Sequence, residues 1–296
     1  MISPVFLLIT AIFISGCSKY EDLDLTMYQY RDTKDLVKFV YDASLILKKE
    51  GVAYFRNNRM LFNTPDYYLY IYDMKGINIF HAGMKDLEGK NLWDVTDKNG
   101  KLITQMVFNA LEENNNPHAW VHYSWWEPGE FYPVPKSSCH FKVKTPAGEE
   151  LVIGGGINYP HEEQEFVRII VADAAQLIED KGRAALADIS SPVSKYNYRD
   201  VCVFAFSRDG EILISPVFNS TLSEINILEC TDEVGHKPFA KALIELESDD
   251  GVWEVFMAKN RYQRKPVKKC LYIRKTIMAG REIYVAAITD LPKPPY

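Results

Sequence analysis

The chain is short of cysteine, has no surplus of positive charge, and contains no apolar run long enough for an ordinary membrane span. Five Cys in 296 residues are too few for a disulfide scaffold. Lys and Arg number 34 against 40 Asp and Glu, a net charge of −6, which argues against nucleic acid as a partner. The longest apolar stretch, Pro4 to Gly16, falls short of the roughly 20 residues that a spanning helix needs. What is present is a globular composition, 47% hydrophobic and 25% charged, which excludes a disordered or multi-span chain. At about 150 residues per domain, the length predicts two domains. Aromatic residues make up 13%, with 18 Tyr and 5 Trp, and point to large cores or to pockets with amphipathic walls.

At the N-terminus, Ile14-Ser15-Gly16-Cys17 resembles the bacterial lipobox, where small residues let a peptidase approach the backbone before an acylated cysteine. No Lys or Arg precedes the apolar run, a departure from that pattern. The resemblance implies a lipoprotein-type signal over 1–16, lipidation at Cys17 and a tether over 17–31. An uncleaved anchor or an ordinary secretory signal is the alternative. Each reading places the rest of the chain outside the cytoplasm, and Ser18 in place of Asp implies the outer membrane of a two-membrane host.

From Asp32 the apolar residues Leu36, Val37, Val40, Ala43 and Leu47 recur at helical spacing, which predicts a long helix to about Arg56. Strand patterns follow over 67–73 and 77–82, flanking a Met74-Lys75-Gly76 turn, then a helix over 102–111 and strands near 118–126, 136–144 and 150–157. Pro160 ends the unit, and the series then starts again. Asp42-Ala43, Leu47 and Gly51 match Asp173-Ala174, Ile178 and Gly182. Gly76 matches Gly210, Thr96-Asp97-x-x-Gly100 matches Thr231-Asp232-x-x-Gly235, Trp120 matches Trp253, and Ala147-Gly148 matches Ala279-Gly280. An ordered set at nearly constant offset predicts duplicated domains, 32–160 and 161–296. Five strands per unit predict an antiparallel sheet with the long helix on one face, leaving the other face for a pocket.

The first unit resembles the Cache family of extracytoplasmic sensor domains. Its motifs stand in order as Tyr68-Leu-Tyr-Ile-Tyr-Asp73, Ile79-Phe-His81-Ala82, Gly89-Lys-Asn-Leu92, Asp97-Lys-Asn-Gly100-Lys101, Trp120-Val-His-Tyr-Ser-Trp125, Pro133-Val-Pro-Lys136 and Gly154-Gly-Gly-Ile-Asn-Tyr159. The resemblance covers about residues 34–160 and implies an α+β fold of two tandem Cache (PAS-like) domains. Each is a five-stranded antiparallel sheet with a long N-terminal helix. Ala82 replaces the family's Pro, an expected loosening of the loop beside the pocket, and Cys139 replaces its Tyr, an expected change in ligand size. The second unit keeps the scaffold positions but has Ser215-Pro216 for His-Pro, Phe256 and Ala258 for Tyr123 and Trp125, and no Pro-x-Pro-Lys. A degenerate pocket is therefore expected there.

Strand alternation puts Val121, Tyr123 and Trp125 on one face and Trp120, His122 and Ser124 on the other. The resemblance assigns Tyr123 and Trp125 to the pocket, a hydrogen-bond donor beside an apolar wall. Lys136 supplies the positive charge that a carboxylate needs in a closed pocket. The alternative is that Tyr123 and Trp125 pack in the core and Lys136 is solvated. Tyr70 and Tyr72 as pocket walls, His81 as a ligand contact or a hydrogen-bonded turn residue, and Trp93 as part of a lid or of a satellite core complete the candidate set. His118 and His122 lie about 13 Å apart on a strand, too far to share a metal. Cys139 and His140 are adjacent and point to opposite faces, poor geometry for a nucleophile and its base. Gly154-Gly155-Gly156 lacks the rest of a phosphate-cradle fingerprint. No cofactor, no metal and no enzymatic activity are expected. Cys139, Cys202, Cys230 and Cys270 allow three pairings, among which the sequence does not choose. The expected function is extracytoplasmic binding of a short carboxylate or amino-acid-like solute by a lipid-anchored sensor-like protein that needs a partner to signal. The alternative is an envelope docking lipoprotein on a ligand-free Cache scaffold.

Overall fold

The computed structural model describes residues 23–112, 118–126, 131–199, 201–215, 226–247, 250–259 and 265–290. The expected signal, Cys17 and the tether up to residue 22 lie outside the described residues. Helix α1 (Arg31–Glu50) buries Leu36, Val37, Val40, Ala43 and Leu47, the stripe that the sequence spacing requires. It stops at Gly51, where φ is 71°, and α2 (Val52–Asn57) follows. The one helix expected to Arg56 is thus two, because a left-handed residue ends the α-helical ladder.

Strands β1 (Tyr67–Asp73), β2 (Asn78–His81), β3 (Ala119–Trp125), β4 (Val134–Lys144) and β5 (Glu150–Asn158), with helix α3 (Ile103–Glu112) before β3, complete the first half. Their sheet runs β2-β1-β5-β4-β3, antiparallel throughout. The second half opens with α4 (Gln164–Lys181) and α5 (Ala184–Ser190), separated at Gly182, where φ is 57°. A short ladder of β6 (Asn197–Tyr198) and β7 (Val201–Cys202) leads into β8 (Phe204–Ser207) and β9 (Ile212–Ile214). Helix α6 (Pro238–Leu246) precedes β10 (Val252–Lys259), β11 (Pro266–Met278) and β12 (Arg281–Asp290). This sheet runs β10-β11-β12-β8-β9, the order of the first sheet read from its other edge.

Helix α1 lies on β4 and β5, and α4 on β11 and β12. The helix-covered faces of both sheets share one core, which includes Leu69, Ile71 and Ile153 of the first sheet and Val285 and Ala287 of the second. Tyr28 sits where the halves meet: its hydroxyl accepts from Trp120 Nε1 at 2.8 Å and pairs with His118 Nε2, and its ring centroid lies 6.3 Å from that of Phe166 in α4. Phe166 of α4 packs on Trp120 at 4.5 Å between ring centroids. The faces turned away from α1 and α4 differ between the two sheets, and that difference defines the site.

Candidate functional site

On the first sheet the register places Tyr70 opposite His81 on one side and Gly154 on the other, Gly154 opposite His140, and Tyr123 opposite Lys136 and then Asn158. Paired residues share a face, so Tyr68, Tyr70, Tyr72, His81, Tyr123, Trp125, Lys136, Ser138 and His140 all lie on the face away from α1. Cys139, paired with Trp120 and Gly155, lies on the α1 face. It therefore does not set ligand size, contrary to expectation, because alternation turns it from the pocket.

Glycine makes room for this face. A Cβ at Gly154 would lie 2.3 Å from His140 Cδ2 and 2.8 Å from Tyr70 Cε2, and one at Gly156 would lie 2.6 Å from Lys136 Cε. The run Gly154-Gly155-Gly156 is thus a floor over which His140, Tyr70 and Lys136 lie flat, with Gly155 giving Val40 the same access from the helix side, 2.9 Å from its would-be Cβ.

Tyr68, Tyr70, Tyr72, His81, Tyr123 and Trp125 wall a cavity closed from above by Leu92, Val95, Ile103 and Thr104. Its volume is about 20 Å³, room for about one water molecule. Five of the seven ligand-binding candidates therefore meet at one cavity. Lys136 lies one layer behind: its Nζ donates to the Tyr68 hydroxyl at 3.1 Å and to Asn158 Oδ1 at 3.2 Å, and sits 4.1 Å from the Tyr68 ring centroid. Trp93 does not line the cavity. Its ring packs on Phe108, 5.3 Å between centroids, and over Gly76, because the turn after Leu92 carries it to the outside of the cover.

His81 is buried, and burial, then the nearby Lys136 charge, push its pKa down to about 3. The ring is neutral at pH 7, and its Nδ1 accepts the Met84 N–H at 2.8 Å, so the proton sits on Nε2 and that nitrogen is a donor. Burial also drives the Tyr70 and Tyr72 hydroxyls up from their ordinary pKa; they stay protonated. Tyr70 pairs with His140 Nε2 at 2.9 Å. The face is consequently rich in hydrogen-bond donors and carries one ammonium, a set that favours an anionic oxygen ligand. Ala82 donates its N–H to Leu69 O at 2.9 Å. A proline has no such donor, so Ala82 ties down the loop that it was expected to loosen.

The motif Asp97-x-x-Gly100-Lys101 holds the cover. Asp97 Oδ1 accepts from Asn99 N at 2.8 Å and Lys101 N at 3.0 Å, and Oδ2 accepts from Ser124 N at 3.1 Å. Asp232 does the same with Val234, His236 and Met257. Scaffold and pocket part company on the second sheet. There the face away from α4 holds a closed apolar core of Phe204, Phe206, Phe239, Phe256, Leu271, Ile273, Ala286 and Ile288. Register pairs Phe256 with Lys269 and Lys269 with Asp290, as it pairs Tyr123 with Lys136 and Lys136 with Asn158. A lysine at this position is thus kept, within Pro266-Val-Lys-Lys269, a correspondence that the loss of the second proline conceals in the sequence. Lys269 bonds Asp290 at 2.7 Å, so a carboxylate stands where the first sheet has the Asn158 amide. Sequence reasoning also missed Tyr68, although alternation from Tyr70 and Tyr72 carries its signal, and Asn158, which is evident only from pairing.

Burial pushes the Cys139 thiol up and His140 down to about 3. All four cysteines of the described residues are free thiols. Among the described residues no group of three or more His, Cys, Asp or Glu side chains is placed to hold a metal ion, and no helix is long and apolar enough to cross a membrane.

A comparison with curated proteins finds no match. Solved structures similar to the chain include a methyl-accepting chemotaxis protein from Vibrio parahaemolyticus RIMD 2210633, at 23% identity over 43% of this chain and 87% of that one, TM-score 0.34. A second is a Cache chemosensory domain solved for carboxylic acid recognition, at 21% identity over 43% and 85%, TM-score 0.31. A third is the ligand-binding domain of the Pseudomonas aeruginosa PAO1 amino acid chemoreceptor PctB with L-Arg, at 10% identity over 87% of each chain, TM-score 0.31. A comparison with protein families matches residues 46–277 to a Cache domain. That match takes in the first sheet with its donor-lined cavity and the second sheet as far as β11, and the chain belongs to the Cache domain family.

Proposed function

We propose that the first sheet binds a small organic anion, a short carboxylate or an amino-acid-like solute, and that this chain is a lipid-anchored, extracytoplasmic sensor-like protein with two tandem Cache domains. The domain boundaries are 32–160 and 161–296, with Cys17 as the lipid attachment and a partner protein needed for signalling. The observation that carries the reading is the convergence of tyrosine hydroxyls, the His81 Nε2 proton and the Lys136 ammonium on one glycine-floored face. Binding without catalysis fits this face, since burial leaves its histidines, near 3, too weakly basic to take up a proton at pH 7, and the Cys139 thiol lies on the other side of the sheet. A thermal-shift panel of short carboxylates and amino acids on the purified protein tests it, because a ligand at 100 times its Kd adds about 2.7 kcal/mol of stability. Lys136→Met then weakens the hit by roughly ten to a hundredfold, the worth of one charge-assisted hydrogen bond; unchanged affinity in calorimetry removes the carboxylate pocket.

The cavity of about 20 Å³ favours a second reading, an envelope docking protein whose Cache scaffold stays closed. On the first reading the cover over Leu92 to Thr104 moves when solute binds. A panel without a single stabilising solute selects the second.

A further inference from the structure

Asn78 is completely buried, and among the described residues it alone has both ends of a buried side chain, Oδ1 and Nδ2, without a hydrogen-bond partner. Burying a carboxamide with nothing to bond costs stability, and native proteins keep few such groups. Its backbone, by contrast, is tied to the cover: Asn78 N donates to Lys90 O at 2.9 Å, and Asn78 O accepts from Gly89 N at 2.8 Å. The residue is held in place while its amide bonds nothing.

A bulge puts it there. Plain alternation from His81 would turn Ile79 to the cavity face, but the register runs Tyr70 to His81, Ile71 to Phe80 and then Tyr72 to Asn78. The extra residue in β2 moves Ile79 aside and sets Asn78 next to Tyr72, on the face that holds Tyr68 and Tyr70. The Tyr72 hydroxyl comes near the amide without hydrogen-bond geometry. The three tyrosines wall the cavity in a row, with 6.5 Å and then 5.3 Å between successive ring centroids. Lys136 bonds the Tyr68 hydroxyl at one end of that row, and Asn78 stands at the other.

We infer that Asn78 reads the far end of the solute, and that this solute is a short carboxylate ending in a carboxamide. The inference rests on the reading of the first sheet as a carboxylate site. A second carboxylate at Asn78 only accepts and leaves Oδ1 unpaired, an ammonium only donates and leaves Nδ2 unpaired, and an alkyl end leaves both. Another carboxamide matches both atoms in one plane, while the Lys136 ammonium takes the carboxylate.

Calorimetry on the purified protein tests this with succinamate and glutaramate, with the two carboxylates in which an isopropyl group of the same shape replaces the carboxamide, and with succinate and glutarate. At least one amide is expected to bind roughly tenfold tighter than its isopropyl twin and its diacid, the worth of a hydrogen bond that only the amide completes. In Asn78→Leu the advantage over the twin disappears, and Asn78→Ala carries the same comparison where the first variant does not fold. In Lys136→Met amide and twin weaken by the same factor, so the advantage stays. Twins or diacids that bind the wild type as tightly as the amides, an advantage that survives substitution of Asn78, or one that vanishes in Lys136→Met overturns the inference and leaves the carboxylate site standing. An absence of binding by every compound overturns the carboxylate site, and the inference with it.

Discussion

At Gly156 a Cβ would fall 2.6 Å from Lys136 Cε and 3.2 Å from Ser137 O. The first neighbour is a flexible chain, but the second is backbone, so Gly156→Ala must displace the lysine. Overpacking of this kind costs about 1–3 kcal/mol. A lowered Tm together with lost solute affinity is expected for Gly156→Ala; normal affinity would mean that Lys136 does not need its path across the floor. At the matching site of the second sheet Ile288 fills that path, and Lys269 turns to Asp290, with side chains 21% and 56% exposed. An exposed pair of this kind contributes about 0–1 kcal/mol. Lys269→Met is therefore expected to leave both Tm and solute affinity near wild type in the same assays that expose Lys136→Met. A loss of affinity there would place a second binding site on the apolar face.

The elements around the cavity depend on two aspartate turns that look alike in sequence and serve different neighbours. Asp97→Ala frees the N–H groups of Asn99, Lys101 and Ser124, and with buried donors left unpaired the expected cost is about 1–3 kcal/mol. Because Ser124 stands next to Tyr123 and Trp125, solute affinity should fall as well. Asp232→Ala frees the corresponding groups of Val234, His236 and Met257, and should lower stability while affinity is kept; equal affinity losses in calorimetry would refute this division. The turn pattern was legible because a side-chain-to-backbone turn leaves a local signature of Asp and Gly at fixed spacing. The strands and the shared face of Tyr123 and Trp125 were legible through another local signature, a period of two, and the pair of five-stranded sheets through matches that recur at nearly constant offset. What the sequence hid depends on pairing between distant strands: Asn158 beside Lys136, the glycine floor under His140, and the removal of Trp93 to the outside. The helix break at Gly51 was hidden as well, since the apolar stripe continues through it and only the backbone angle betrays it.

Across the whole molecule, four histidines are locked in as neutral groups. Burial takes His118 down to about 4 and His140 to about 3; burial, then the Lys136 charge, takes His81 to about 3, and burial, then the Lys101 charge, takes His122 to about 3. Their positions are structural joints: His118 meets Tyr28, His122 packs on Tyr198 at 4.0 Å between centroids, His140 pairs with Tyr70, and His81 closes the cavity. In the unfolded chain each titrates near 6.5. Below that pH the unfolded state binds protons that the native state refuses, so stability falls as pH falls, from about 6.5 down to the folded values near 3 to 4. Each histidine contributes a slope of up to about 1.4 kcal/mol per pH unit in that window. Urea midpoints should hold level from pH 8 to 7 and drop steeply between 6 and 4.5. Replacing His118 by Gln should make that drop shallower by up to one proton's worth, and it leaves the cavity walls untouched. A midpoint that stays flat from pH 7 to 5 would mean that these rings reach water or a proton partner in solution, and that the packing around them opens more readily than its burial implies.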